Sequence, residues 1–168
     1  AYYTPEWLAK DFALRAELEP HHLVLEPSAG MGALALAAAA HLARPDQVRC
    51  YDIDLACVQH LNTHGFMATQ QDFLTVTPLP MADCVLMNPP FANRQDMLHV
   101  LHAVQFLRRP GHLMAILSPM TIQGATSVHR QFQAFVAEHN ATVRPLPNGA
   151  FKESGTNVHT CLLDLWVF

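Results

Sequence analysis

A short motif, Asn88-Pro89-Pro90-Phe91, follows directly after the apolar run at residues 84–87. The side chain of Asn88 offers a carbonyl acceptor, and the two prolines hold the backbone extended with its carbonyl groups in fixed positions. Fixed acceptors beside an aromatic ring suit a planar group that carries an NH2, such as adenine or a carboxamide. Because Asn-Pro and Pro-Pro are also common in loops, a plain turn at the end of a strand is the alternative interpretation.

A second candidate site lies earlier in the chain, where Gly30-Met31-Gly32 follows a short apolar segment. Glycine lets a ligand approach the backbone closely. Asp52 ends another apolar segment twenty residues after Gly32, and its carboxylate could accept hydrogen bonds from ribose hydroxyls. Both features suit a nucleoside-containing cofactor. The loose pattern G-x-G-x-x-G/A at residues 30–35 leaves a nicotinamide cofactor open as well.

Alternating strands and helices must position these residues. Helical spacing of apolar residues and runs of strong helix formers predict helices over residues 5–18, 33–42, 55–64, 96–108 and 127–140. Apolar runs predict strands over residues 23–25, 48–51, 66–69, 83–87, 113–117, 142–146 and 159–168. Thr4 is expected to cap the first helix and Asp54 the third, with Gly65 ending the third helix and Pro110-Gly111 the fourth.

This order of elements predicts the α/β class, as a three-layer sandwich around a mostly parallel, seven-stranded, Rossmann-like sheet. No helix is predicted between the last two strands, so the last strand is expected to be antiparallel, and its long apolar runs indicate a central position. Ligands bind such sheets at the carboxyl ends of the strands. Both candidate sites fall at that edge.

Composition limits the classes of function. Residues 1–168 fit a single domain, and no separate target-recognition domain is visible. A mean hydropathy of +0.11, with no apolar run of about 18 residues and no secretory signal, predicts no membrane span and a cytoplasmic location. The net charge of −4 does not favour binding to a polyanion. No metal is predicted, since the four cysteines form no C-x-x-C pair and the eleven histidines no H-E-x-x-H motif.

Five segments, taken together in order, resemble the class I S-adenosylmethionine-dependent methyltransferases. They are Thr4-Pro5, residues 25–32, Tyr51-Asp52-Ile53-Asp54, Gln71-Asp72-Phe73-Leu74 and Asn88-Pro89-Pro90-Phe91. More narrowly, the chain is similar to the DNA adenine-N6 methyltransferases whose cofactor motifs precede an N-P-P-[FY] motif. Residues 151–160 resemble the late motif of that family.

The resemblance implies a role for each matching residue. The catalytic positions would be Asn88, Pro89, Pro90 and Phe91, and S-adenosyl-L-methionine would be bound by Tyr3, Thr4, Glu26, Ser28, Gly30, Gly32, Asp52, Ile53, Asp72 and Phe73. The first six of these binding residues would hold the methionine end. Asp52 would bind the ribose hydroxyls, Ile53 and Phe73 would pack on the adenine ring, and Asp72 would accept from its amino group.

The implied reaction is direct methyl transfer to the amino nitrogen of adenine in DNA, as in restriction-modification. The Asn88 side-chain oxygen and the Pro89 carbonyl would accept the two amino hydrogens. A base in a duplex must first be flipped out, at about a few kcal/mol, and stacking on Phe91 would offset about 1–3 kcal/mol of that. Because the family reads its target with a separate region, a recognition domain or partner subunit is expected for the nucleic acid substrate.

Other functions stay open from the sequence. A carboxamide presents the same NH2 geometry as adenine, so protein glutamine-N5 methylation is one alternative, and RNA methylation is another. The charge of −4 is also consistent with a non-catalytic, cofactor-binding subunit of a larger complex. A nicotinamide dehydrogenase ranks last, because it leaves the Asn88 motif without a role.

Overall fold

A computed structural model describes residues 3–147, 150 and 160–168 of the chain. The α-helices of these residues are α1 (Glu6–Arg15), α2 (Ala33–Ala39), α3 (Leu55–Thr63), α4 (Gln95–Ala103), α5 (Met120–Gln123) and α6 (Ser127–Glu138). The strands are β1 (Val24–Glu26), β2 (Val48–Asp52), β3 (Met67–Gln70), β4 (Ala82–Met87), β5 (Leu107–Leu117), β6 (Thr142–Pro145) and β7 (Cys161–Val167). The predicted late motif at residues 151–160 lies outside the described residues except for Thr160.

The strands form one sheet in the order β3-β2-β1-β4-β5-β7-β6. Strands β1 to β5 pair in parallel, whereas β7 is antiparallel to both of its neighbours, β5 and β6. The strand order reverses between β1 and β4, as in other doubly wound sheets. The predicted fold class, the antiparallel last strand and its central position are confirmed.

Apolar side chains alternate between two cores, one on each face of the sheet. In β4, Cys84 and Leu86 face the core that α1 and α2 cover, whereas Val85 and Met87 face the core covered by α4 and α6. Alternation along a strand that is buried on both faces explains why β4 reads as a continuous apolar run. The two cores hold the carboxyl end of β4, and therefore the Asn88 motif, rigidly in the middle of the sheet.

The caps of two helices show where the sequence prediction was right and where it was wrong. Asp54 caps α3, its carboxylate accepting from the Ala56 N–H at 2.8 Å, as predicted. Thr4 does not cap α1. The helix begins at Glu6 with Pro5 at the capping position, and the Thr4 hydroxyl instead accepts a hydrogen bond from Asn88.

The region before β5 also differs from the prediction. The helix predicted to residue 108 ends at Ala103, and β5 already begins at Leu107. Ala82 pairs with Leu107 but Cys84 pairs with His112, so β5 carries three extra residues there. This bulge accommodates Pro110, which has no N–H to give to the sheet. A Cβ on Gly111 would clash with the Arg108 carbonyl oxygen, so a residue without a side chain is needed at the bend.

Two further properties bear on function. Within the described residues, no helix combines the length and the apolar character that crossing a bilayer requires. His60 lies in α3 and His64 at its carboxyl end, one turn apart, and their ring centroids are 4.7 Å from each other. No third His, Cys, Asp or Glu joins them or forms another such group in the part of the chain that the structure describes.

Candidate active site

A cavity of about 750 Å³ opens at the carboxyl edge of the sheet, around the ends of β1, β2 and β4. Its walls contain every predicted site residue except Gly32, namely Tyr3, Thr4, Glu26, Ser28, Gly30, Asp52, Ile53, Asp72, Phe73, Asn88, Pro89, Pro90 and Phe91. A volume of this size is typical of small-molecule and cofactor sites. The fold therefore brings segments that are up to 88 residues apart, from Tyr3 to Phe91, into one site.

The glycine turn after β1 is locked to the end of β2. Gly30 and Gly32 both have a positive φ, 54° and 92°, which favours glycine over other residues. The Gly30 N–H donates to Oδ2 of Asp52 at 2.8 Å, while Oδ1 of Asp52 accepts from the Asp54 N–H at 2.9 Å. Asp52 is thus fixed in orientation, and each of its oxygens keeps a second lone pair for a ligand hydroxyl.

Gly32 lies behind this turn and not in the cavity wall. It stands directly before α2, and a Cβ at this position would come within 2.8 Å of the Leu61 side chain on α3. The structure therefore gives Gly32 a packing function, because the absence of a side chain leaves room for Leu61.

Glu26 places a carboxyl group without a hydrogen-bond partner in the wall of the cavity. The side chain is 1% exposed, and neither carboxylate oxygen has a hydrogen-bond partner in the described part of the chain. Burial, followed by the charge of Asp52, raises the pKa of Glu26 well above its usual range. The Ser28 N–H is close enough to lower this pKa slightly, although it does not form a hydrogen bond with the carboxylate. A buried, unpaired carboxyl group is costly, and a cationic ligand group in the cavity would compensate it.

Asn88 is held by both of the other loops at the cavity. Its Nδ2 donates to the Thr4 hydroxyl oxygen at 3.0 Å. The Ser28 hydroxyl lies 3.4 Å from the Asn88 main-chain carbonyl oxygen, a long hydrogen bond. Since the amide nitrogen is committed to Thr4, the side-chain oxygen of Asn88 is the atom suited to accept a hydrogen from a substrate. Pro89 is buried and Phe91 is half-buried beside it.

The far end of the cavity is apolar, with one carboxylate. Ile53 is 74% exposed although it is aliphatic, and Phe73 is buried against Tyr51 and Phe106. Asp72 is exposed, and its Oδ1 accepts from the Leu74 N–H at 3.0 Å. An exposed aliphatic side chain, an aromatic ring and a carboxylate together suit a flat heterocycle that carries an amino group.

His99 on α4 lines the same end of the cavity, and the sequence analysis missed it. Its Nδ1 lies 2.8 Å from the Gln95 carbonyl oxygen and must therefore carry the hydrogen. Burial lowers the pKa of His99, which favours the neutral ring, and in that form Nε2 is an acceptor. The ring also stacks on Phe73, with centroids 5.8 Å apart. No local motif marks this residue, because only the packing of α4 against residues 73–75 brings it to the cavity.

Comparison with known proteins gives structural but not sequence matches. No protein-family model matches the chain, and no curated protein is similar to it in sequence. Among solved structures, it is similar to a modification subunit of a putative type I restriction enzyme from Vibrio vulnificus, with a TM-score of 0.81, 16% identity and coverage of 99% of this chain. The methyltransferase subunit of a type I restriction-modification system from Streptococcus thermophilus has a TM-score of 0.78, 20% identity and 98% coverage.

The share of these proteins that the chain spans differs between them. It matches 44% of the length of each of the two restriction-modification subunits. The 23S rRNA methyltransferase ErmE has a TM-score of 0.70 and 18% identity over 100% of this chain, which spans 70% of ErmE. At these identities the likeness concerns the fold. The chain has the Rossmann-like fold of these methyltransferases, with a cavity at the strand ends where the sequence motifs meet.

Proposed function

We propose that the chain is an S-adenosylmethionine-dependent N-methyltransferase whose acceptor is the N6 amino group of adenine in DNA. One observation carries this proposal. The Asn88 motif, suited to an amine, lines the same cavity as the glycine turn and Asp52, which are suited to a nucleoside cofactor. A nicotinamide enzyme would give the Asn88 motif no role.

The residues of the cavity fit S-adenosylmethionine along its length. Its cationic methionine end would compensate the buried Glu26 carboxyl, and its ribose hydroxyls would donate to Asp52. Its adenine would lie between Ile53 and Phe73, with the amino group donating to Asp72 and the Nε2 of His99 close to the same edge. When bound, this cofactor supplies a methyl group from its sulfonium, whose sulfur keeps the electron pair of the broken bond.

The chain's own residues prepare the acceptor nitrogen. An adenine amino group is a poor nucleophile because its lone pair is delocalised into the ring. The side-chain oxygen of Asn88 and the main-chain carbonyl of Pro89 would accept its two hydrogens and favour a pyramidal nitrogen, whose lone pair then forms the new bond. The surplus proton leaves through one of these hydrogen bonds to water. Thr4 keeps the Asn88 amide in the required orientation.

DNA is the first choice of substrate, and RNA is the second candidate. The N-P-P-F motif and the likeness to type I modification subunits favour DNA. The rRNA methyltransferase ErmE, of which the chain spans 70%, favours RNA. With a net charge of −4, the chain would need a recognition domain or partner subunit to hold either nucleic acid firmly.

Calorimetry tests the cofactor part of the proposal. S-adenosylmethionine and NAD are titrated separately into the protein. We expect S-adenosylmethionine to bind with a stoichiometry of one and NAD not to bind. Binding of NAD alone would refute the methyltransferase assignment.

Methyl transfer tests the role of Asn88. A labelled methyl donor is incubated with DNA, RNA and protein pools, and wild type is compared with Asn88→Ala. We expect Asn88→Ala to lower kcat by about 100-fold or more, since orienting and general acid–base contributions have this size. Gln105→Ala is the matched control, because Gln105 is an exposed amide at the opposite edge of the sheet, before β5. Equal labelling by the Asn88 and Gln105 variants would contradict the role given to Asn88.

A further inference from the structure

We propose that Arg94 contacts a backbone phosphate of the substrate at the cavity mouth, so that the acceptor amine is presented on a nucleic acid and not on a protein side chain. This inference rests on the proposed function and specifies its substrate class. Asn88 alone cannot make that distinction, because adenine and a glutamine carboxamide present the same NH2 group to it.

Arg94 is not a lining residue itself, but it lies in the segment between the acceptor motif and Gln95, both of which line the cavity. It follows Phe91 by three residues, and its near neighbours Ala92 and Gln95 both line the cavity. Residues 92–94 are exposed. The exposed surface on which Arg94 lies is therefore next to the part of the cavity that the acceptor motif lines.

The backbone holds Arg94 there in a costly conformation. Asn93 and Arg94 have consecutive positive φ angles, 55° and 60°, although neither is glycine. The other non-glycine residues with positive φ in the described chain, Glu17 and Asn140, are single residues just beyond the ends of α1 and α6, where this conformation is common. Two such residues in succession before a helix have no comparable structural explanation, and strained backbone of this kind concentrates at functional sites.

Charge pairing also sets Arg94 apart from other cations. Contacts to a carboxylate or a main-chain carbonyl oxygen occupy the side chains of Lys10, Arg15, Arg44, Arg108, Arg109 and Arg130. Arg94 has no ion pair or hydrogen bond of its side chain within the described residues. Arg49 and Arg144 have none either. Arg49 lies near the amino end of β2 and Arg144 on β6, the strand at the outer edge of the sheet, and neither lines the cavity.

A guanidinium group is the side chain best matched to a phosphodiester, because its planar N–H donors can bind two phosphate oxygens at once. A nucleotide carries such a group at a fixed distance from its base, whereas a glutamine side chain carries no anion. On a chain with a net charge of −4, an unpaired cation at the mouth would also offset some of the repulsion of a polyanion.

The test compares Arg94→Ala and Arg94→Lys with wild type and with Arg49→Ala as the matched control. The substrates are adenine-containing DNA and RNA oligonucleotides, free adenosine and a glutamine-containing peptide. We expect Arg94→Ala to raise KM for the preferred oligonucleotide about tenfold, the usual effect of losing one charge-assisted hydrogen bond. Methylation of adenosine should be unchanged, Arg94→Lys should be intermediate, and Arg49→Ala should resemble wild type.

Two further measurements make the contact specific. The dependence of oligonucleotide affinity on salt, followed by fluorescence anisotropy, should be weaker by about one charge in Arg94→Ala. A neutral methylphosphonate next to the target adenine should impair wild type and leave Arg94→Ala unaffected. The preference between the DNA and RNA oligonucleotides identifies the source of the phosphate.

The outcomes separate this inference from the proposed function. Equal effects of Arg94→Ala and Arg49→Ala on KM or on anisotropy would overturn the inference, as would an equal loss on adenosine. Labelling of the peptide but of no nucleic acid would overturn it too, while leaving methyl transfer intact. Failure to bind S-adenosylmethionine would instead refute the proposed function. If no pool is labelled although the cofactor binds, the anisotropy comparison alone decides on the phosphate contact.

Discussion

Thr4 and Asn88 form the hydrogen bond on which the acceptor end of the cavity depends. The two residues are 84 positions apart, and their side chains are 3.0 Å from each other. In this arrangement the Thr4 hydroxyl oxygen accepts from Nδ2 of Asn88, so Oδ1 of Asn88 is turned towards the opposite side. Orientation of this kind contributes to catalysis without any contact between Thr4 and the reacting atoms.

Replacing Thr4 should therefore impair catalysis through Asn88. We expect Thr4→Val to lower kcat about tenfold, with little change in substrate KM, and Thr4→Ser to restore most of the activity. The double variant Thr4→Val, Asn88→Ala should be no slower than Asn88→Ala alone, which steady-state kinetics on the four proteins would show. Additive losses would mean that the two residues act independently.

Glu26 should make cofactor affinity depend on pH. Burial keeps its pKa raised in the free protein, so the carboxyl is neutral at a pH below that raised value. A cationic ligand favours the charged form and lowers this pKa again, so that binding releases a proton. We expect affinity for S-adenosylmethionine to increase as pH rises from the usual pKa of 4.5 towards the raised one, by at most tenfold per pH unit, and to level off above it.

Calorimetry in buffers of different ionisation enthalpy would count the released proton. Glu26→Gln is the matched variant, since it keeps the shape of the side chain but cannot titrate. It should bind more weakly at high pH and show a flat pH profile. A wild-type profile as flat as that of Glu26→Gln would show that Glu26 does not meet the cationic end of the ligand.

At the scale of elements, the glycine turn between β1 and α2 has two glycines with different functions. Gly30 donates to Asp52 and lines the cavity, and an added Cβ would meet no protein atom within 4 Å. Gly32 stands directly before α2, and an added Cβ there would come too close to the Leu61 side chain on α3. The sequence pattern treats both as ligand-binding glycines, because spacing alone does not show which one faces a neighbouring helix.

Alanine substitutions should separate these functions. Gly30→Ala should reduce the free energy of unfolding only by the strain of a left-handed residue, about 1–2 kcal/mol, and should weaken S-adenosylmethionine binding. Gly32→Ala adds a steric clash with the Leu61 side chain to this strain. It should reduce the free energy of unfolding by about 2–4 kcal/mol. Urea denaturation and calorimetry on both variants check these values. A larger loss of stability in Gly30→Ala would reverse the assignment.

The elements that could be predicted from sequence are those with strong periodicity. The apolar run of β4 and the Asp54 cap of α3 are local signals, and both are confirmed. The early start of β5 was not predictable, because Arg108-Arg109-Pro110-Gly111 looks like the end of a helix. Its pairing with β4 depends on a bulge that only tertiary contacts define. The bond of Thr4 to Asn88 and the position of His99 likewise depend on packing between distant segments.

At the scale of the whole molecule, the doubly wound topology explains why sequence analysis could place most of the cavity. In a parallel sheet every strand ends at the same edge, so residues that follow β1, β2 and β4 must meet there whatever their separation. Thirteen of the fourteen predicted site residues line one cavity, and the rule accounts for eleven of them, at the ends of β1, β2, β3 and β4. Tyr3 and Thr4 instead precede α1, and Gly32 directly adjoins the cavity. The rule does not predict the charge around the cavity. Because the whole chain has a net charge of −4, the substitution of Arg94 tests whether one cation near the cavity helps to bind a polyanion.

Strand β7 has a consequence for how the chain assembles as it is synthesised. It pairs with β5 over seven residues and with β6 over four, although it follows both in the chain. Until β7 leaves the ribosome, β5 presents an open edge and β6 has no neighbour to pair with. Such an edge is a template for pairing with other chains. Among the described strands, only β7 covers the open edge of β5, so the sheet closes there only after β7 has been synthesised.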